Sequence, residues 1–278
     1  MEFLDRLIDL ALDEDLGPVG DVTTRALLSP DATGKAELWA KEPLVLAGTA
    51  AFARVFQRVD PDVKIEFLAA EGQWLPKKVR VATLSGRLGS LLTAERTALN
   101  LIQRTSGIAT LTREAVRAIG RGKLKLLDTR KTSPGMRILS KEAVRAGGGT
   151  NHRFGLFDGV LIKDNHIAAV GGSVGEAVRR ARANVPRLVK IEVEITRLEQ
   201  LEEAIGAGAH ILLLDNMTDA QIAKAVKIVN GRAELEISGN ISIERLASLA
   251  KLGVDYASMG ALTHSAPAVD LSLEVIPG

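Results

Sequence analysis

Apolar residues recur along the chain with two different rhythms, and the change of rhythm divides it. Near the start, Phe3, Leu4, Leu7, Ile8, Ala11 and Leu12 follow helical spacing and predict an amphipathic opening helix. The cluster Asp15-Leu16-Gly17-Pro18-Val19-Gly20-Asp21 ends it in a turn. Strands are predicted over 35–41, 63–68 and 77–84, with a helix over 49–59. Residues 91–118 read as one or two long helices.

From residue 123 the pattern becomes a repeating strand-then-helix unit. Short apolar runs at 123–128, 159–163, 188–194, 210–215, 234–238 and 255–259 suit strands buried on both faces. Helical segments at 174–183, 197–207, 219–230 and 242–252 lie between most of them. The last four strand ends fall about 22 residues apart, as βα units with short loops require. Such units build either a doubly wound sheet or a barrel. Polar residues decide between them, because nearly every strand ends in one: Thr129-Arg130-Lys131, Lys163-Asp164-Asn165, Glu194, Asp215-Asn216, Ser238-Gly239 and Gly260. A barrel brings its strand C-termini onto one rim, so these groups would share one pocket. The expectation is a barrel of six or seven strands.

Composition narrows the function. Hydrophobic residues make up 46% of the 278 residues and charged ones 25%, so a sizeable core is available. Aromatics at 3% argue against a nucleic-acid binder that stacks bases. With 36 basic against 34 acidic residues the net charge is +2, so any anion site must come from local clustering. The absence of cysteine excludes disulfides, thiolate metal sites and a Cys nucleophile. Met1-Glu2-Phe3-Leu4-Asp5-Arg6 lacks the basic-then-apolar order of a signal peptide, and no apolar run is long enough to span a bilayer. The expectation is a cytoplasmic protein with neither nucleic acid nor membrane as partner.

Local clustering is what the middle of the chain shows. Asp128-Thr129-Arg130-Lys131-Thr132-Ser133-Pro134-Gly135 follows a strand directly. Two adjacent cations there suit either a solvated loop or an oxyanion cradle, and the hydroxyls and Pro-Gly turn favour the cradle. Gly147-Gly148-Gly149-Thr150-Asn151-His152-Arg153 adds a permissive backbone and two more donors. Lys163 ends an apolar strand, either snorkelling to the rim or serving a site. Arg130, Lys131, His152, Arg153 and Lys163 on one rim would make a polyanion site.

Acids follow. On Ile191-Glu192-Val193-Glu194 the period of two puts both glutamates on one face. They suit either an ion pair with nearby lysines or, with Asp215, contacts to sugar hydroxyls and a developing positive charge. Ser238-Gly239-Asn240-Ile241-Ser242 and Met259-Gly260 close successive strands. Late barrel loops of this kind hold phosphates on backbone N–H groups, although Ser242 alone suits a helix cap. No His-x-x-x-His pair or Asp-rich cage is present, so a structural metal is not expected. Mg²⁺ carried by a substrate stays open.

The run Asp128-Thr-Arg-Lys-Thr-x-Pro-Gly, then Gly-Gly-Gly-x-Asn-His-Arg-x-Gly-Leu, then Leu-Ile-Lys-Asp-Asn-His-Ile ending at Ile167, resembles the quinolinate phosphoribosyltransferases. The likeness extends outward through Glu14-Asp15-Leu16-Gly17, Glu95-Arg96-Thr97-Ala98-Leu99-Asn100 and Ser106-Gly107-Ile108-Ala109-Thr110. It implies an N-terminal α/β sandwich domain over 1–110, onto which 266–278 would pack, and an open α/β barrel over 111–265. It implies transfer of a phosphoribosyl group from 5-phosphoribosyl-1-pyrophosphate, with Mg²⁺, to quinolinate, giving nicotinate mononucleotide, pyrophosphate and CO₂.

The same resemblance implies roles by motif position. Arg130, His152, Arg153 and Lys163 would hold quinolinate and phosphates, with Arg96 reaching in from the partner of a homodimer. Lys131 would face the ribosyl pyrophosphate. Glu194 and Asp215 would bind ribose hydroxyls and stabilise an oxocarbenium-like transition state. Ser238, Gly239, Asn240 and Gly260 would take the 5-phosphate. Three positions depart from the family pattern: Glu142 stands where an aromatic is expected, 79–85 lacks an expected glycine, and Asn240 follows Ser-Gly where glycine is common. Two other readings stay open at this point: a related phosphoribosyl-binding barrel of the molybdate-operon type, and a non-catalytic phosphate-binding barrel.

Overall fold

The computed structural model describes residues 2–276. In chain order the first elements are α1 (Glu2–Leu16), α2 (Val22–Leu27), β1 (Thr33–Ala40), β2 (Leu44–Val45), α3 (Thr49–Val59), β3 (Lys64–Phe67), β4 (Trp74–Leu75), β5 (Val79–Arg87) and α4 (Leu88–Ile119). The repeating part follows with β6 (Lys125–Leu127), α5 (Arg137–Gly147), β7 (Val160–Ile162), α6 (Asp164–Ala169), α7 (Val174–Asn184), β8 (Ile191–Ile195), α8 (Gln200–Ala207), β9 (Ile211–Asp215), α9 (Asp219–Val229), β10 (Glu234–Ser238), α10 (Ile243–Leu249), β11 (Tyr256–Ser258), α11 (Ala261–His264) and β12 (Leu271–Ile276).

These elements form two compact units. The first comprises residues 1–113, 132–148 and 262–278, and the second 114–131 and 149–261. The division expected from sequence, at 110 and 265, differs from this by a few residues at each boundary and in one longer segment, 132–148, which carries α5 and belongs to the first unit.

In the first unit an antiparallel sheet runs in the order β12-β1-β5-β3, with β2 and β4 as a separate pair. The C-terminal strand pairs with β1 in full register, from Lys35 opposite Ile276 to Ala40 opposite Leu271. Alternation along β1 buries Ala36, Leu38 and Ala40 on one face. The amphipathic helix α3 buries Phe52 and Phe56, whose ring centroids lie 5.0 Å apart. α1 docks beside it through two forked pairs, Asp5 with Arg54 and Asp9 with Arg58. Residues 91–118 are one helix, not two: α4 is unbroken over 32 residues.

The second unit holds six parallel strands in the order β6-β11-β10-β9-β8-β7. β6 and β7 stand at the two ends of that order, so this is an open barrel of six strands. Its strands are mostly buried, completely so in Ile191–Ile195 and through the centres of Ile211–Asp215 and Glu234–Ser238. The observed β8 starts three residues later than the sequence pattern suggests, because Val189 N–H closes a turn onto the Pro186 carbonyl. The strand register then fixes the polar ends: Asp215 lies opposite Ser238, and Leu213 opposite both Glu236 and Glu194. A short parallel bridge between Leu127 and Thr150 lays the glycine-rich loop alongside β6.

One buried carboxylate ties the first unit's strand and helix ends together. Asp60 has no exposed surface, and it accepts from Arg87 Nε at 2.8 Å, Ser90 Oγ at 2.7 Å and the Asp62 N–H at 3.0 Å. The Arg87 guanidinium and the Ser90 hydroxyl hold its carboxyl well below the usual carboxylate range. A depressed carboxylate stabilises the fold above the unfolded value of about 4, and that contribution is lost as pH falls towards the folded value. Asp60→Ala is therefore expected to lower the melting temperature at pH 7 and to lose progressively less, relative to wild type, as the pH falls below about 4. Thermal unfolding of both proteins across that range checks it, and a gap that stays constant with pH contradicts it.

Candidate active site

The strand C-termini of the barrel surround a cavity of about 280 Å³. Thr129, Arg130 and Lys131 enter it from the loop after β6, His152 and Arg153 from the loop before β7, and Lys163 from the end of β7. Glu236, Ser238 and Ser258 come from β10 and β11, with Leu161 and Leu213 as apolar walls. The five donors singled out in the sequence, four cations and the His152 imidazole, therefore meet in one place.

Local structure explains how they are held. Buried Asp128 accepts the backbone N–H of His152 at 2.8 Å, and so ties the loop before β7 to the end of β6. The next N–H, of Arg153, donates to His152 Nδ1 at 2.7 Å. That bond leaves the imidazole proton on Nε2. The Arg153 guanidinium donates to the Gly159 carbonyl at 2.8 Å, while Asp158 accepts two backbone N–H groups, from Phe154 and Gly155. Burial and the neighbouring Arg130 push the Arg153 guanidinium down from its ordinary value. The carboxylates of Glu192 and Asp158 oppose that fall. At the end of β7, the Lys163 N–H donates to His166 Nδ1 at 3.0 Å, which fixes the turn into α6.

Under the cations lies a group the sequence only half revealed. His152 Nε2 stands 3.0 Å from Glu192 Oε2 and 3.7 Å from Glu236 Oε2. Both glutamates are buried, at 4% and 2% exposure. Burial and the adjacent Glu192 carboxylate push the Glu236 carboxyl up to about 8. Glu236 was not a candidate from sequence, although Glu234-Leu235-Glu236 repeats the period-two signal of Glu192-Val193-Glu194. A charged residue in the middle of a buried strand was the available clue.

The acids predicted for the ribose side take a different position. Glu194 pairs with Lys163 Nζ at 3.6 Å and borders a smaller cleft of about 180 Å³ with Asp164, Thr196 and Gln200. Burial raises its carboxyl, the Lys163 charge opposes this, and Asp215 and Asp164 add to the rise. Asp215 accepts from Asn216 Nδ2 at 2.7 Å. Its strand partner Ser238 lines the main cavity. Gly239 and Asn240 form the tight turn after β10, with φ of 95° and 46°, and Gly260 follows β11 directly. Arg96 is exposed on α4 in the first unit and is not among the residues lining this cavity.

Among the described residues, the one cluster with metal-ligand spacing is His152, Glu192 and Glu236. An imidazole nitrogen and a carboxyl that tends to stay protonated are poor ligands for Mg²⁺, which asks for oxygen donors in a regular octahedron. The protein's own residues do not form a Mg²⁺ cage there.

Comparison with known proteins identifies the family and the fold. Family models described as quinolinate phosphoribosyl transferase, N-terminal domain and C-terminal domain, match residues 21–106 and 108–274. The chain is 44% identical over 272 residues to the "Probable nicotinate-nucleotide pyrophosphorylase (carboxylating)" of Bacillus subtilis (strain 168), covering 98% of this chain and 93% of that one. Among solved structures, NadC from Streptococcus pyogenes matches with a TM-score of 0.94 and 43% identity, over 99% of this chain and 97% of that one. The nicotinate-nucleotide pyrophosphorylase from Francisella tularensis matches with a TM-score of 0.92 and 42% identity, over 99% and 96%.

The turn after β10 gives a direct test of the site's framework. Gly239 sits at positive φ, and a Cβ built there would collide with the Asn216 side-chain oxygen. The Asn216 N–H meanwhile donates to the Ser238 carbonyl at 3.0 Å and locks the two strand ends together. Gly239→Ala is expected to destabilise the protein by about 1–3 kcal/mol. Chemical denaturation measures this, and a variant as stable as wild type would contradict the strained turn.

Proposed function

The chain belongs to the quinolinate phosphoribosyltransferase family, and from that premise we propose that it transfers the phosphoribosyl group of 5-phosphoribosyl-1-pyrophosphate to quinolinate, with loss of CO₂ and pyrophosphate, to give nicotinate mononucleotide for NAD biosynthesis. The observation that carries the reading is the convergence of Arg130, Lys131, His152, Arg153 and Lys163 on one cavity in a chain of net charge +2. Quinolinate brings two carboxylates and the donor several phosphate charges, so the site needs many cations and little covalent chemistry.

In this reading Arg130, His152, Arg153 and Lys163 hold the quinolinate carboxylates, Arg with a planar fork and Lys as a point charge. Lys131 meets the departing pyrophosphate. Glu194 and Asp215 bind the ribose hydroxyls and stabilise positive charge at the anomeric carbon. Their support is the row of strand ends on which they stand, with Ser238 opposite Asp215. Ser238, Gly239, Asn240 and Gly260 offer small, donor-rich turns to the 5-phosphate. Mg²⁺ enters as the counter-ion of the donor, held by the donor's own oxygens and water. Catalysis is then positioning plus electrostatic stabilisation of developing charge.

A homodimer in the cytoplasm completes the proposal, with Arg96 entering from the partner subunit. Its exposure on α4 leaves it available for that role. No helix among the described residues is long and apolar enough to cross a membrane.

The test is product analysis. Incubation with the phosphoribosyl donor, Mg²⁺ and quinolinate should yield nicotinate mononucleotide and CO₂, and nicotinate in its place should yield none; the reverse preference overturns the reading. Arg153→Ala should raise the KM for quinolinate about tenfold or more, with a smaller change in kcat. Glu194→Ala should lower kcat about a hundredfold at nearly constant KM. Steady-state kinetics with wild-type parameters for both variants would remove these assignments.

A further inference from the structure

Resting on the quinolinate reading above, we propose that Glu236 is the acid that protonates carbon 2 of the pyridine ring as CO₂ leaves, with Glu192 and His152 keeping its proton in place. The chemistry requires such an acid. Quinolinate carries carboxylates on carbons 2 and 3, and the product keeps only the one on carbon 3. The bond from carbon 2 to its carboxylate breaks, CO₂ departs, and the electron pair stays on carbon 2 beside the ribosylated, positively charged nitrogen. A proton must then form the new C–H bond. Solvent water is a weak acid, and Glu236 is the one carboxyl among the described residues that line the cavity, beside the ammonium groups of Lys131 and Lys163.

Glu236 has the placement for the task. It lines the cavity that gathers the four cations and His152, and it also lines a second cavity of about 250 Å³ that lies towards the starting ends of the strands. Among the described residues, His152, Arg153 and Glu236 alone border both. The second cavity extends to the half-exposed pair of Lys190 and Glu234, 2.6 Å apart, and to Tyr256. A proton spent on the substrate side can thus be restored from the other side without crossing the bound substrate.

The surroundings divide the two glutamates into an anion and an acid. The imidazole Nε2 lies closer to Glu192, at 3.0 Å, than to Glu236, at 3.7 Å. One carboxyl oxygen of Glu192 lies within 4.8 Å of one of Glu236, so the two groups adjoin. The charged and titratable groups facing Glu236 are Glu192 from β8 and His152 from the loop before β7, with the Ser258 hydroxyl from β11; Arg130, Arg153 and Lys163 line the same cavity. Burial and the Glu192 charge raise the Glu236 carboxyl, and His152 and Ser258 only partly offset them. Two carboxyl groups this close share one proton, so Glu236 keeps it near neutral pH. The acid is lost as pH rises through its value, so CO₂ formation should fall on the alkaline side.

Single-turnover experiments that follow pyrophosphate and CO₂ separately test the proposal. Glu236→Gln keeps the shape and hydrogen bonding but carries no transferable proton. The variant should form pyrophosphate at close to the wild-type rate, while CO₂ appears about a hundredfold more slowly and without the alkaline fall. Wild-type CO₂ formation in the variant, or an equal loss of both products, overturns the proposal. A wild-type enzyme that makes neither product from quinolinate would instead remove the reading on which it rests. Should Glu236→Gln not fold, Glu192→Gln serves: it retains the acid but removes the neighbouring charge, so the alkaline fall in CO₂ formation should move to lower pH. An unmoved fall overturns the proposal.

Discussion

Beneath the crowded cations at the mouth of the barrel, one imidazole stands within 4 Å of two buried glutamates, and the balance of those charges governs the rest of the site. Like charges gathered on one rim repel one another, and Arg130 adds to burial in lowering the Arg153 guanidinium. Acids placed directly under them reduce that repulsion without occupying the space where an anionic substrate must lie. Two buried carboxylates bearing full charge would in turn be costly, and sharing one proton between them removes most of that cost. The result is a cavity that remains attractive to polyanions while its floor stays close to neutral.

The fold makes this possible through register more than through any single loop. Parallel strands bring Thr129, Lys163, Asp215, Ser238 and Gly260 to one end, and the same register sets Glu236 level with Leu213 and Glu194. Asp128 and Asp158 then hold the long loop before β7 by accepting its backbone N–H groups. Those two acids serve the site without lying on it, since they decide where the His152 ring and the Arg153 guanidinium point.

Much of this was legible in the sequence, for reasons that differ by element. The run Glu234–Ser238 and the helix Thr49–Val59 were predicted with the bounds observed, because each is bracketed by turn residues and has one clear period. β12 was not predicted as a strand, since its partner β1 lies more than two hundred residues earlier and pairing at that separation leaves no local mark. α5 was placed only by the family resemblance, as the helix after the Pro-Gly turn that carries Glu142; periodicity did not reveal it, because its buried Ser140 and Lys141 blur the apolar stripe. The cations were found because they cluster along the chain. Glu236 was missed because its partners Glu192 and His152 are distant in sequence and meet it only across the barrel interior.

The central claim is that one carboxyl in the barrel floor keeps its proton at neutral pH so that the cations above it can act together. Carbon-13 NMR of the protein labelled at glutamate side-chain carboxyls measures this most directly. A single resonance that stays in the protonated position through pH 7, titrates near 8 and disappears in Glu236→Gln is the result expected. Glutamate resonances that all titrate within about one unit of the model-peptide value of 4.3 would contradict it.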